Sequence, residues 1–177
     1  VRRFRRENPG AIVVLTGCYP QAFPREAAAV QEADIITGAR NRAALPQLVK
    51  DFSLDHQRVV NIPKHEKGED FESCSAADFG VRTRAFLKIQ DGCDNWCSYC
   101  IIPAARGPVR SKPMPELQSE LLTLAQNGYR EIVLTGINLS NYGREWGLRL
   151  SDAVLAAAAT PGVERVRLGS IEPDLLT

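Results

Sequence analysis

The chain has 177 residues, of which 44% are hydrophobic, and a formal net charge of +1. This size and composition exclude a disordered or fibrous chain and indicate one or two globular domains with a buried core. The near-neutral charge excludes the overall basic field that general nucleic-acid binders carry. No apolar run of about 18 residues occurs, and the start lacks the apolar segment of a signal peptide, so we expect a cytoplasmic protein without a membrane anchor.

Short apolar runs alternate with helix-forming stretches in the first third of the chain. Strands are predicted at residues 11–15, 34–37 and 58–62, and helices at residues 25–33 and 41–52. Asn41 would cap the second helix, and Pro46 either kinks this helix or lies in its true first turn. The alternation of strands and helices at this spacing predicts βαβ units around a parallel sheet.

An acidic stretch follows this first segment. Residues 63–80 lack apolar periodicity and end at Gly80, which predicts a linker between a domain at residues 1–62 and another at residues 81–177. Residues 51–80 contain seven acidic and three basic side chains, whereas residues 81–112 contain two acidic and six basic ones. The small net charge of the whole chain therefore hides a strong local asymmetry.

The second segment predicts three strands joined by helices. Strands at residues 84–90, 131–135 and 163–168 alternate with a helix from Pro115 to a cap at Gly128 and a helix at residues 150–159. Right-handed crossovers make these the consecutive parallel strands of a doubly wound sheet or of a barrel. In either fold we expect the chemistry on the loops at the carboxyl ends of the strands, which are residues 91–112, 136–149 and 169–173.

Three of the five cysteines, Cys93, Cys97 and Cys100, lie within eight positions on the first of these loops. This spacing suits a metal or redox site better than a disulfide framework. Three thiolates would leave one corner of a four-iron cluster open to bind a small molecule. The alternative is a zinc site completed by His56 or His65, in which case the chain is a zinc-containing RNA-binding module.

The residues around these cysteines resemble a known family. The string Cys93-x-x-x-Cys97-x-Tyr99-Cys100 resembles the signature of radical S-adenosyl-L-methionine (SAM) enzymes. The longer strings at residues 86–93, 100–107 and 110–111 are similar to those of the methylthiotransferases. The resemblance implies an α/β protein with part of the family's Rossmann-like N-terminal domain at residues 1–62. After the acidic linker at 63–80, it implies the first three strands of a radical-SAM (β/α) partial TIM barrel at residues 81–177.

Two iron–sulfur clusters follow from the resemblance. Cys93, Cys97 and Cys100 would hold a 4Fe-4S cluster that binds SAM. The string at residues 15–21 resembles the third cysteine motif of the family's N-terminal domain, so Cys18 would ligate a second, auxiliary 4Fe-4S cluster with two cysteines missing from this sequence. Because the later barrel strands and the family's RNA-binding domain are also missing, we expect an internal fragment that is inactive alone.

The resemblance also implies residues that contact SAM. Tyr99 would pack near the adenine, Gly136 and Asn138 would lie near the cofactor, and Glu172 would make a polar contact. The same residues have plainer interpretations. Tyr99 is then a loop anchor, Gly136 and Asn138 form an ordinary turn, and Glu172 begins a helix.

Basic residues follow the cysteine loop. Arg106, Arg110 and Lys112 are interpreted either as a solvated loop or as a cluster that steers the tRNA anticodon loop to the site. Cys74 matches no motif and is expected to be an unremarkable thiol. His56 and His65 are expected to be solvated.

The strings at residues 134–143 and 167–173 resemble the branch of the family that acts on N6-threonylcarbamoyladenosine (t6A) in tRNA. The resemblance implies replacement of the C2 hydrogen of this nucleoside, next to the anticodon, by a methylthio group. It also implies an electron donor such as flavodoxin or ferredoxin and a monomeric full-length protein. Isopentenyladenosine in tRNA and a ribosomal protein are the alternative substrates.

Overall fold

The computed structural model describes residues 1–40, 42–73, 80 and 83–172. The helices, in chain order, are α1 (Arg2–Glu7), α2 (Cys18–Ala22), α3 (Pro24–Ala28), α4 (Leu45–Asp55), α5 (Ile102–Arg106), α6 (Met114–Gln126) and α7 (Leu150–Ala158). The strands are β1 (Val14–Leu15), β2 (Ile35–Thr37), β3 (Val59–Asn61), β4 (Arg84–Lys88), β5 (Gln90–Asp91), β6 (Arg110–Ser111), β7 (Glu131–Thr135) and β8 (Arg165–Leu168).

The chain forms two compact units, and its path alternates between them. The first unit comprises residues 1–66 and 95–107, and the second comprises residues 67–94 and 108 onward. This division differs from the predicted one at residues 63–80, because residues 95–107 of the cysteine loop join the first unit and the acidic residues from 67 join the second.

The first unit is built on a parallel sheet with the strand order β1-β2-β3. Val14 is in register with Ile35, which is in register with Val59. The central strand β2 is buried at every residue, as is typical of parallel strands that are covered on both faces. The three predicted strands all form, and each is shorter than predicted because its outer residues have no ladder partner on the neighbouring strand.

The helices of the first unit begin at prolines. Pro24 starts α3, which ends at Ala28 rather than at residue 33, since Val30 turns back to bond the Ala27 carbonyl. Pro46 lies in the first turn of α4, after a 3-10 turn at Arg42–Ala44, so the first-turn interpretation of Pro46 is correct and the kink is not. The predicted cap Asn41 lies outside the described residues.

The second unit is built on another parallel sheet, with the strand order β4-β7-β8. Leu87 and Leu134 are in register and fully buried on one face, whereas Phe86 and Arg84 on the opposite face are exposed. The buried face packs against the apolar stripes of α6 and α7, and Tyr129, Leu139 and Tyr142 complete the core. The predicted strand at 131–135 is confirmed residue for residue, and the helices predicted from Pro115 and at 150–159 form at Met114–Gln126 and Leu150–Ala158.

Two short elements in the cysteine loop were not predicted. Residues Ile102–Arg106 form a single helical turn with Pro103 at its start, and β5 pairs with β6 in antiparallel fashion. The pairing joins Gln90 to Ser111 and Asp91 to Arg110, so the long loop is closed at its base by a two-residue ladder. Neither element is long enough to give a periodic pattern in the sequence.

Both units combine parallel strands with helices, which confirms the predicted α/β class. The order β4-β7-β8 is also the order of three consecutive strands that the sequence predicts for the second segment. No helix within the described ranges is long and apolar enough to cross a membrane.

Candidate functional site

The loops that leave β7 and β8 meet at the carboxyl edge of the second sheet. The Leu139 amide donates to the Ser170 carbonyl at 3.0 Å. The Ser140 hydroxyl accepts from the Glu172 amide at 3.0 Å and donates to the Glu172 carbonyl at 3.1 Å. The backbone of Glu172 is therefore fixed beside Ser140, while the residue itself remains exposed.

Asn138 lies in the same edge and is buried. Its side-chain oxygen accepts from the Ser140 amide at 3.2 Å and caps the 3-10 turn Leu139–Asn141. This contact gives Asn138 a role in the turn itself. The same loop contains Tyr142, whose buried hydroxyl donates to the Lys112 carbonyl at 3.0 Å.

Gln90 is the best-connected side chain at this edge, and the sequence predicts it only as the last residue of the strand at 84–90. Its side-chain oxygen accepts from the Ile137 amide at 2.9 Å and from the Asn138 amide at 2.8 Å. Its side-chain nitrogen donates to the carbonyls of Asp91 and Gly92. A β-carbon added at Gly136 would stand 2.9 Å from the Gln90 oxygen, so the predicted site residue Gly136 provides the space for this contact.

The cysteine loop begins immediately after Gln90 and Asp91. Cys93 and Cys100 are half-buried, Cys97 is exposed, and all are free thiols. The Cys100 amide donates to the Cys97 carbonyl at 2.9 Å, which makes a tight turn between the second and third cysteines. Tyr99 in this turn is 90% exposed. Cys93 belongs to the second unit, and the other two cysteines belong to the first.

The donor set of this loop fits an iron–sulfur cluster, because its three thiols are unpaired, partly accessible and set in glycine- and asparagine-bearing turns. The described residues do not hold any three His, Cys, Asp or Glu side chains in an arrangement ready to bind a metal ion. The chemistry of the donors thus fits the cluster, while the ligand geometry of such a site is not formed here.

Cys18 begins α2 directly after β1 and is exposed. Gly17 before it has φ 96°, a backbone angle that glycine adopts without strain. Within the first unit, α2 packs against α5, the single turn that follows Cys100. The segments that carry the predicted auxiliary and SAM-cluster ligands Cys18 and Cys100 are therefore packed in the same unit.

The two histidines have different surroundings. His65 is half-buried, and its ring lies against Gly107, where an added β-carbon would stand 2.4 Å from the His65 ring. Its Nε2 is 3.4 Å from the Ala105 carbonyl. The expectation that His65 is solvated is therefore wrong, whereas His56 is exposed, as predicted, and has its ring edge-on to Phe52. Cys74 lies outside the described residues.

The predicted basic cluster needs a correction. Arg110 is 6% exposed, and its guanidinium faces Asp91 at 3.6 Å and Glu69 at 3.9 Å. Lys112 is 2% exposed and pairs with Glu120. Both charges are compensated inside the second unit, so these two side chains do not present a basic surface to an RNA. Arg106 is half-buried in the first unit.

Part of the predicted acidic linker supplies these contacts. Besides Glu69, the ring of Phe71 lies 5.1 Å from Lys88 Nζ and 5.7 Å from Lys112 Nζ. The Ser73 hydroxyl donates to Glu116 at 2.6 Å. Residues 67–73, which we term the acidic strap, are therefore packed on the second unit and are not a free linker.

One carboxyl group and one phenol group near the sheet have displaced pKa values. Hydrogen bonds from Arg167 and Arg165 lower the pKa of Glu131, which lies between them on the exposed sheet face, although desolvation opposes the shift. Burial, assisted by the charges of Glu145 and Asp152, raises the pKa of Tyr142 to about 12. Tyr142 therefore stays protonated and remains a donor to the Lys112 carbonyl at neutral pH.

No family model matches the chain. The curated protein "Threonylcarbamoyladenosine tRNA methylthiotransferase" of Bacillus subtilis is 36% identical over all of this chain and 40% of the relative. The protein of the same name from Thermotoga maritima is 36% identical over 98% of this chain and 39% of the relative. The "tRNA-2-methylthio-N(6)-dimethylallyladenosine synthase" of Clostridium tetani is 30% identical over all of this chain and 40% of the relative.

The chain thus spans about 40% of the length of the curated relatives that it matches. Within that span the similarity includes both units, and with it the cysteine loop and the residues at the carboxyl edge of the second sheet. Over its whole length, the chain belongs to the methylthiotransferase family.

Proposed function

We propose that the chain is part of a tRNA methylthiotransferase that replaces the C2 hydrogen of t6A, next to the anticodon, with a methylthio group. The observation that carries this proposal is the similarity of the whole chain to relatives named for that reaction, including the loop with Cys93, Cys97 and Cys100. Because the chain spans 40% of such a relative, catalysis is proposed for the longer protein and not for these residues alone.

Cys93, Cys97 and Cys100 would hold a 4Fe-4S cluster, and Cys18 would contribute one ligand to an auxiliary cluster. When bound, the cluster and SAM supply the one-electron chemistry that attacks an unactivated C–H bond, with electrons from a donor such as flavodoxin or ferredoxin. The contribution of the protein is to hold the backbone turns that carry the thiols in defined conformations. Free, partly exposed thiols on a turn are consistent with this role.

Four residues are candidates for contact with SAM: Tyr99 in the first unit, and Gly136, Asn138 and Glu172 in the second. The exposed ring of Tyr99 is available to stack on an adenine. Glu172 has its backbone fixed by Ser140 and its side chain free to reach a polar group of the cofactor. The turn at Gly136 and Asn138 offers backbone groups at the carboxyl end of β7, where α/β proteins bind ligands.

Among the substrates, t6A is favoured over dimethylallyladenosine. Four relatives named for threonylcarbamoyladenosine are 33–36% identical to the chain, whereas three named for dimethylallyladenosine are 30–32% identical. The strings Thr-Gly-Ile-Asn-Leu at 135–139 and Ile-Glu-Pro at 171–173 support the same choice. A zinc-containing RNA-binding module remains the candidate from a different class, because the cysteine spacing alone also permits zinc.

The proposal is tested in a strain that lacks the gene and is complemented with the full-length protein. We expect wild type and Cys74→Ala, which changes a cysteine outside the motif, to restore the methylthio form of t6A in nucleoside mass spectrometry of tRNA. Cys93→Ala is expected to abolish it, because one cluster ligand is lost. A methylthio group found on dimethylallyladenosine instead of t6A would show that dimethylallyladenosine is the substrate. Zinc without iron or sulfide in the anaerobically purified protein would contradict the enzyme and support the RNA-binding module.

A further inference from the structure

We infer that Gln90 is a positioning residue of the SAM site: its carboxamide joins the start of the cysteine loop to the Gly136–Asn138 turn and sets their relative position. The assignment of this region to SAM binding rests on the proposed function, whereas the hydrogen-bonded link itself is a property of the second unit. Gln90, Asp91, Gly92 and residues 136–138 all belong to that unit.

The hydrogen bonds of the carboxamide are complete. Its oxygen accepts from the Ile137 amide at 2.9 Å and the Asn138 amide at 2.8 Å. Its nitrogen donates to the Asp91 carbonyl at 2.8 Å and the Gly92 carbonyl at 2.7 Å. A carboxamide has two acceptor sites and two N–H donors, so each is used, and Gln90 is fully buried. A side chain with this pattern does not also bind substrate.

The four bonds connect loops that leave neighbouring parallel strands. The Gln90 nitrogen holds the backbone one residue before Cys93, where Gly92 has φ 74°. The Gln90 oxygen holds the turn that follows β7. The proposed first cluster ligand and the proposed cofactor turn therefore depend on one side chain, although neither segment contains it.

Gly136 shows how closely the turn approaches this side chain. An added β-carbon would lie 2.9 Å from the Gln90 oxygen and 3.0 Å from both Gln90 Cβ and Leu139 Cδ2. Its backbone angle is not in the left-handed region, so the glycine is required for space and not for conformation. Gln90 and Gly136 thus form a matched pair, and a change at either one should disturb the same two amide hydrogen bonds.

Hydrogen exchange of the 177-residue chain tests the link without any cofactor. We expect Gln90→Met to speed exchange of the Ile137 and Asn138 amides by about tenfold or more, because a thioether does not replace the buried acceptor. The Leu139 amide, which bonds to Ser170 instead, is the internal reference and should change far less. Gln126→Met on the exposed side of α6 is the matched control and should change neither amide.

Gly136→Ala keeps Gln90 in place and therefore tests the same link if Gln90→Met does not fold. It should also speed exchange at Ile137 and Asn138, since its methyl group displaces the carboxamide. Combined with Gln90→Met, its added effect should be smaller than in the wild-type background, because the displaced group is already absent. Unchanged exchange in Gly136→Ala, or effects that simply multiply, would overturn the link.

The positioning role is tested in the full-length enzyme reconstituted with its clusters. We expect Gln90→Met to raise KM for SAM several-fold with a smaller change in kcat, while the iron content stays at the wild-type level because every thiol is retained. Altered exchange with an unchanged KM for SAM would reduce Gln90 to a purely structural link and overturn the positioning role. Absence of SAM-dependent activity in the wild type would contradict the proposed function, and the exchange data would still decide the link.

Discussion

Tyr142 is the largest fully buried side chain among the described residues, and its hydroxyl is its only polar group. The hydroxyl donates to the Lys112 carbonyl, next to the ladder that closes the cysteine loop. Ionisation would bury a charge beside Glu145 and Asp152, which explains why the pKa of Tyr142 rises to about 12. The protonation state of one residue is therefore coupled to the stability of the second unit.

The direction of the resulting pH dependence follows from linkage. An unfolded tyrosine loses its proton near pH 10, whereas Tyr142 in the folded chain holds it to about 12, so the folded state binds more protons between these values. We expect the contribution of Tyr142 to the free energy of unfolding to be constant below pH 10 and to fall by up to ~2 kcal/mol as the pH rises towards 12.

Urea unfolding at several pH values measures this effect. Tyr142→Phe should remove the Tyr142 contribution to the pH slope and lower stability at pH 7 by about 1 kcal/mol through loss of one buried hydrogen bond. Tyr99→Phe, which changes a tyrosine that is 90% exposed, is the control and should keep the wild-type slope. The same slope in Tyr142→Phe as in wild type would assign the pH dependence to other groups.

At the scale of elements, the acidic strap changes the picture of the second segment. Its net negative charge and lack of periodicity predicted a linker, but Glu69 and Phe71 cover Arg110, Lys88 and Lys112. These contacts add to the ion pairs of Arg110 with Asp91 and of Lys112 with Glu120 beside the ladder β5–β6. Charge runs are usually solvated, and nothing in the local sequence indicates which distant strand the strap meets.

We expect Phe71→Ala to destabilise the second unit by about 1–2 kcal/mol, because two ammonium groups lose the face of an aromatic ring. Phe4→Ala in α1, where the side chain is 50% exposed, serves as the control and should cost less. Thermal unfolding measures both. Equal stability of Phe71→Ala and wild type would mean that the contacts of the acidic strap do not stabilise the second unit.

The elements also show what the sequence could predict. The strand at 131–135 was predicted to the residue because its β-branched residues and its burial pattern coincide, whereas the other strands of the two parallel sheets are shorter than predicted. The helix α5 and the ladder β5–β6 were missed, since elements of two to five residues have no period. The metal site at Cys93, Cys97 and Cys100 was predicted from their spacing, and the role of Cys18 from the resemblance of residues 15–21, both of which are local. The role of Gln90 depends instead on amides 47 and 48 positions away.

At the scale of the whole molecule, the division of the chain has a direct consequence for truncation. Residues 95–107 belong to the first unit, where Ala105 and Gly107 are buried and α5 packs against α2. A chain shortened to residues 67–177 would keep the second sheet but remove every partner of this segment in the first unit. The cysteine loop would then lose its packing although none of its residues had been deleted.

Hydrogen exchange with mass spectrometry can compare the shortened and complete chains. We expect the amides of Ala105 and Gly107, which bond to Ile101 and Pro103, to lose most of their protection in the shortened chain. Peptides from β4 and β7 should retain theirs, because both strands and their covering helices α6 and α7 are present. Full protection of residues 101–107 in the shortened chain would show that this segment is held by the second unit alone.

The return of residues 95–107 to the first unit also determines when that unit can be completed on the ribosome. During synthesis, domains generally fold from the amino terminus as their residues emerge. Here α2 exists early, but its partner α5 emerges only after β4, which must itself wait for β7 before it gains a neighbour. In nascent chains stalled shortly after β3, the surface of α2 that packs against α5 should therefore be accessible to chaperones. This surface should become covered only once α5 has emerged, just after Cys93, Cys97 and Cys100.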